Sequence, residues 1–205
     1  MAIQQTSRLA TRAEPTPIDF GAAENLRYIR STIEAAHTFT TVPGKGCLAM
    51  GITALCAAGL ELIPAFSAYW LAIWMGAATI ACAAAVVFIV RKARTQQLSL
   101  RRMVARRFFL ALAPAFVSAG ILTAALAGIV SRDVIAAIWL LLYGAGISSA
   151  GVFTLPVVFT AGLAFMALGT ATLALPAGSA PTMLALGFGG IHIALGEVVR
   201  RNHGG

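Results

Sequence analysis

Apolar residues come in long blocks after residue 46, and polar residues are confined to the short stretches between them. Between Cys47 and Val90 the only charged residue is Glu61. About 20 apolar residues in a helix cross a hydrocarbon core, so blocks of this length predict transmembrane helices. Six are predicted, at residues 47–63, 69–90, 108–130, 134–147, 157–175 and 181–199, with the fourth able to run on toward Gly151. A membrane β-barrel would need short segments of alternating polarity, which this chain lacks. The expected fold is all-α: a polytopic integral membrane protein whose six-helix transmembrane bundle follows an amphipathic interfacial helix. Short linkers such as Ser131-Arg132-Asp133 make sequential helices antiparallel neighbours.

Ahead of the first span the pattern changes. Residues 1–18 are polar, include Pro15 and Pro17, and have no apolar run of a signal peptide. Over residues 20–38, Leu26, Ile29, Ile33 and Ala36 recur at spacings of three and four, while Arg27, Arg30, Glu34 and His37 take the other face. Val42-Pro43-Gly44 ends the pattern. This predicts an amphipathic helix at the cytoplasmic interface, or a water-facing helix packed on the loops. The expected organisation is a cytoplasmic segment, 1–44, and a transmembrane domain, 45–205.

Charge fixes the expected orientation. Residues 91–107 read RKARTQQLSLRRMVARR, with seven basic residues (Arg91, Lys92, Arg94, Arg101, Arg102, Arg106 and Arg107) and no acidic one. Such a stretch is retained in the cytoplasm. Placing both termini inside puts 14 of the 15 Lys and Arg residues on that side, with Arg132 the exception. Phe66, Tyr69, Trp70 and Trp74 then form an outer aromatic belt. The net charge of +8 would suit a nucleic-acid binder, but the charges sit at the ends of spans, where insertion requires them. Overall, 59% of residues are hydrophobic, 11% are charged, and the mean hydropathy is +0.86. Cys47, Cys56 and Cys82 have no metal or disulfide spacing.

Few residues offer chemistry. Glu61 and Glu197 lie near span ends, where the first can reach water and the second can pair with Arg200 and Arg201. His192 falls deeper, about 16 Å from the outer end of its span, and Tyr143 about 14 Å from the outer end of its own. Ser118 falls near the same depth, as do Cys56, Thr79 and Met166. His192, Tyr143 and Ser118 therefore form a candidate polar cluster. It is either a satisfied structural set or a site for a ligand or a proton. Gly144, Gly146, Ser148, Ala150 and Gly151, and later Gly187, Gly189, Gly190, Ala194 and Gly196, predict close helix packing or a dimer interface.

Gly146-Ile147-Ser148-Ser149 in the fourth span and His192 in the sixth resemble the serine and histidine of rhomboid-type intramembrane proteases. Ser148 falls at the inner end of its span, about 5 Å from His192 in depth, and the first linker is too short for the long loop of that family. No P-loop or HExxH occurs, and no cofactor, metal or catalytic residue is expected.

A broader resemblance rests on Glu24-Asn25-Leu26-Arg27-Tyr28-Ile29-Arg30, Phe39-Thr40-Thr41-Val42-Pro43-Gly44, Trp139-Leu140-Leu141-Leu142-Tyr143-Gly144, Phe165-Met166-Ala167-Leu168-Gly169 and Gly187-Phe188-Gly189-Gly190-Ile191-His192. Together these resemble a group of uncharacterised bacterial six-span membrane proteins, with an ENLR-type lead-in and a GFGGLH-type last span. The resemblance implies a bacterial inner-membrane protein and transfers no activity. The expected function is non-enzymatic, exercised through a cytoplasmic or membrane partner, with the basic loop on anionic headgroups or a cytoplasmic protein and a homodimer among the partners. The alternative is a small carrier or permease component with a mid-membrane pocket near His192; more remote is a rhomboid-like serine protease.

Overall fold

The structure, a computed structural model, describes residues 21–30, 43–94, 99–152 and 154–203, with the side chains of 92–105 and of 203 outside the description. Two compact units result, residues 1–36 and residues 37–205. In the first, residues 21–30 form a helix, α1, on which Leu26, Tyr28 and Ile29 are exposed. The rest of the expected amphipathic segment, including Ile33, Glu34, Ala36 and His37, lies outside the described residues.

In the second unit all regular structure among the described residues is helical: α2 (Gly44–Glu61), α3 (Pro64–Ser67), α4 (Trp70–Arg94), α5 (Ser99–Leu126), α6 (Arg132–Gly151), α7 (Pro156–Ala174), α8 (Ala180–Leu184), a π-helical segment (Ala185–Ile191) and α9 (His192–His203). Among the described residues five stretches are long and apolar enough to cross a membrane: those in α4, α5, α6 and α7, and the continuous rod from α8 to α9. This is compatible with a multi-pass membrane protein. The first expected span, 47–63, corresponds to α2, which carries Lys45 near its start and Glu61 at its end and is not among the five.

Local chemistry sets the boundaries. Proline opens α3, α7 and α8, where its missing N–H is not needed. Ser131 caps α6 by accepting from the Val134 N–H. Gly128 and Gly178 turn the chain at φ 83° and 94°, a region that disfavours a Cβ. Asp133 accepts from the Gly178 and Ala180 N–H groups and from Ser179, tying the start of α6 to the start of α8. The segment expected as a basic loop, 91–107, is helical on both flanks, because α4 runs to Arg94 and α5 begins at Ser99. Arg, Lys, Leu, Met and Ala favour helix, and no Gly or Pro interrupts them there.

Helix α6 is the most buried of the five apolar helices. It packs on α5, α7 and α8, while α2 packs on α4, α9 and the π segment, and α7 reaches the π segment and α9. The order around the bundle is therefore α4, α2, α9, α7, α6, α5. It does not close: α4 and α5 share no substantial packing interface among the described residues. Ile80 on α4 and Ile121 on α5 are exposed, as lipid-facing positions would be.

Paired glycine notches hold the closed part of the ring. A Cβ on Gly51 would stand 2.8 Å from the Gly189 carbonyl oxygen, and one on Gly196 would stand 2.8 Å from the Gly44 carbonyl oxygen. On the other side, Gly144 abuts the Gly162 carbonyl oxygen at 2.7 Å and Gly151 abuts the Phe159 backbone. Gly44 and Gly51, Gly189 and Gly196, and Gly144 and Gly151 each lie seven residues, about two turns, apart. The small residues of α6 and of the last helix thus serve packing inside the chain. Gly144→Leu should lower stability by about 1–3 kcal/mol, because backbone rather than a pliable side chain fills the space. Gly76→Ala, with nothing near it, should be neutral or add about 0.5–1 kcal/mol. Thermal unfolding of purified protein distinguishes them; an equal response of the two variants would contradict the notch assignment.

Candidate functional site

The last helix changes pitch where its glycines gather. Residues 185–191 form a π turn containing Gly187, Gly189 and Gly190. Glycine is a poor α-helix former, so departing from α geometry costs little there. The wider turn is where His192 meets its own helix: its Nδ1 lies 2.9 Å from the Phe188 carbonyl oxygen. Its Nε2 lies 2.7 Å from the Tyr143 hydroxyl on α6.

These two contacts fix the protons. A carbonyl only accepts, so Nδ1 carries the hydrogen. In a neutral imidazole Nε2 is then the acceptor, and the Tyr143 hydroxyl donates to it. The surroundings favour the neutral form, because an isolated buried charge has a large desolvation cost. Tyr143 and His192 are 5% and 3% exposed, and rings enclose them. Phe165 lies edge-on to Tyr143 at 4.8 Å, Phe116 at 5.6 Å, and Phe188 stacks on His192 at 6.1 Å.

Two cavities meet at this pair. The smaller, ≈ 80 Å³, lies among Ala54, Trp70, Trp74, Ala78, Ile135 and Trp139. The larger, ≈ 360 Å³, lies among Cys47, Ala85, Ile89, Phe108, Leu112 and Ala113. They share five residues: Met50, Cys82, Phe116, Tyr143 and His192. Val86 on α4 and Val117 on α5 line the larger cavity and are 49% and 60% exposed, so it opens sideways between those helices. Among the described residues no charged side chain lines either cavity.

Of the expected cluster, His192 and Tyr143 come together and Ser118 does not. Ser118 is exposed on α5, and the residue α5 sends to the pair is Phe116. Two residues along a helix is a rotation of about 200°, so the two positions face opposite ways; equal depth alone did not resolve this. Cys56 and Thr79 are likewise exposed, and Met166 packs on Gly144. Of the basic patch, Arg91, Arg106 and Arg107 are exposed, while the side chains of Lys92, Arg94, Arg101 and Arg102 lie outside the described residues.

The serine–histidine pair of a rhomboid-like protease is not assembled. Ser148 bonds to the Phe159 carbonyl oxygen at 3.4 Å, and both nitrogens of His192 are engaged elsewhere. Among the described residues no cluster of His, Cys, Asp and Glu could hold a metal ion. Glu197 accepts from both Arg200 and Arg201, a terminal ion pair as expected.

Glu61 departs from expectation. It is 6% exposed rather than reaching water; it accepts from Trp74 Nε1 at 2.7 Å and lies 3.8 Å from Arg132. Arg132 in turn sits over the Trp70 ring at 5.5 Å. Trp74 is therefore core, not belt, whereas Phe66 and Tyr69 are exposed. The signal for this cluster was Arg132 itself, the single Lys or Arg residue between Arg107 and Arg200.

No protein-family profile, curated protein or solved structure matches the chain. Tyr143→Phe should cost about 1–3 kcal/mol, because it leaves the buried His192 Nε2 without its donor. Adding His192→Leu to Tyr143→Phe should cost less than the two single changes summed. A double-mutant cycle from chemical unfolding measures the coupling; strict additivity would contradict the hydrogen bond.

Proposed function

We propose that this chain is a six-span membrane protein that binds a lipid-soluble small molecule within the bilayer and acts as a small carrier or permease component. The observation that carries the proposal is the pair of apolar cavities meeting at Tyr143 and His192, the larger of them opening between α4 and α5. A volume of ≈ 360 Å³ lies in the range of small-molecule sites. A molecule moving from one cavity to the other passes the five shared residues, so those residues act as a waist. No nucleophile–base pair or metal cluster accompanies the waist among the described residues, and binding and passage need neither.

In this reading α2 also spans the membrane, as the first of six, because it packs along α4 and α9 and carries charge only near its ends. The membrane is the bacterial cytoplasmic membrane, with both termini inside, supported by the distribution of Lys and Arg. Arg91, Arg106 and Arg107 are exposed and suit contact with anionic headgroups, and the apolar positions of α1 suit the interface. The resemblance to bacterial six-span proteins with an ENLR-type lead-in points to the same membrane.

Two measurements test the proposal. Extracted in mild detergent and weighed intact, the wild-type protein should retain a lipid-sized adduct. Ala113→Phe, which fills the larger cavity from an exposed position, should lose it while keeping its thermal stability. Equal retention by both would place the adduct elsewhere. A cysteine introduced at Ser67, in the cysteine-less background, should react with an impermeant maleimide from outside the cell, and one after Arg201 should not. The reverse pattern would overturn the orientation.

A further inference from the structure

We infer that the cavity takes a neutral, lipid-soluble molecule whose polar group is a hydroxyl donor, such as a long-chain or isoprenoid alcohol or a phenol; this rests on the carrier reading above. The inference follows from which hydrogen-bonding capacity is already used. His192 Nδ1–H is given to the Phe188 carbonyl, and the Tyr143 hydroxyl hydrogen is given to His192 Nε2. The pair therefore has no free donor. What it retains is acceptor capacity on the Tyr143 oxygen, which receives no hydrogen bond among the described residues.

A ketone, ester or ether offers only acceptors and finds nothing to accept from at this pair. An ionised head is refused for a different reason. Among the described residues neither cavity is lined by a charged side chain, and a buried charge without a counter-ion is costly. The ionisable groups of the helices around the cavities do not supply one. Glu61 and Arg132 satisfy each other, Glu197 is held by Arg200 and Arg201, and Lys45, Arg91, Arg106 and Arg107 are exposed and line neither cavity. An alcohol, in contrast, donates to the phenol oxygen and lays its chain along Phe108, Leu112 and Ile89.

The test compares three probes with one chain length: 1-hexadecanol, its methyl ether and palmitate at pH 8, each radiolabelled and bound to purified full-length protein in detergent. Hexadecanol should bind about two- to twelvefold tighter than the ether, the span of one net hydrogen bond. Palmitate should bind more weakly than either. Removing both acceptors, in Tyr143→Phe combined with His192→Leu, should bring alcohol and ether to equal affinity. The alcohol-to-ether ratio in the wild-type protein stands on its own even where that variant folds poorly. Equal binding of alcohol and ether, or tighter binding of palmitate, would overturn the hydroxyl assignment and leave the cavity reading intact. Binding of all three no better than to Ala113→Phe would overturn the cavity reading itself.

Discussion

The hydrogen bond between Tyr143 and His192 joins the two halves of the helical unit at mid-length. Tyr143 belongs to α6, the most buried helix, and His192 to the rod that packs on α2. Neither could be buried alone without leaving a polar group unsatisfied in an apolar interior. The bond in turn depends on a change of helical pitch. The π turn at 185–191 brings the Phe188 carbonyl under His192 Nδ1, which sets the tautomer and makes Nε2 an acceptor. π turns are rare in helices and gather at functional sites. Here the turn coincides with three glycines, one of which, Gly187, also admits Leu140 and Phe165 to the helix surface.

Around that bond the bundle is asymmetric. Glycine notches draw α2 onto α9 and α6 onto α7, so one side of the ring is dense. The other side ends in α4 and α5, which pack mainly along α2 and α6 respectively. Near one end of the bundle Glu61, Trp74 and Arg132 tie together α2, α4 and α6. No comparable tie joins α4 to α5 among the described residues. A helix fixed near one end and unsupported along one face leaves a lateral opening, and the larger cavity lies there. In water such an apolar opening would collapse or recruit a partner; in the carrier reading proposed above, lipid tails or a lipid-soluble ligand would fill it without that cost.

Much of this was legible in the sequence, and the reasons differ by feature. The apolar helices were readable because a bilayer demands unbroken runs of about 20 residues. The meeting of Tyr143 with His192 was readable from depth, since both fall near mid-span. Ser118 shared that depth yet points away, because depth fixes height along a helix and says nothing of rotation about it. The π turn left only its glycines as a trace, since periodicity is too coarse to register one extra residue in a turn. Glu61 read as a residue at a span end that could reach water. Its burial depends on Trp74 and on Arg132, which is 71 positions further along, and such a triad forms only through tertiary packing. A pocket near His192 was expected from the depth of that residue, but its division in two and its opening between α4 and α5 were not legible, because a void is defined by which helices fail to pack.

The most direct test of the account is an experimental density map of the protein in lipid nanodiscs, read between α4 and α5. The account predicts that these helices stay apart over residues 82–89 and 109–117, with elongated non-protein density between them ending at Tyr143 and His192. Helices α4 and α5 packed side chain to side chain, with no space between them and the Tyr143 hydroxyl turned away from His192, would contradict it.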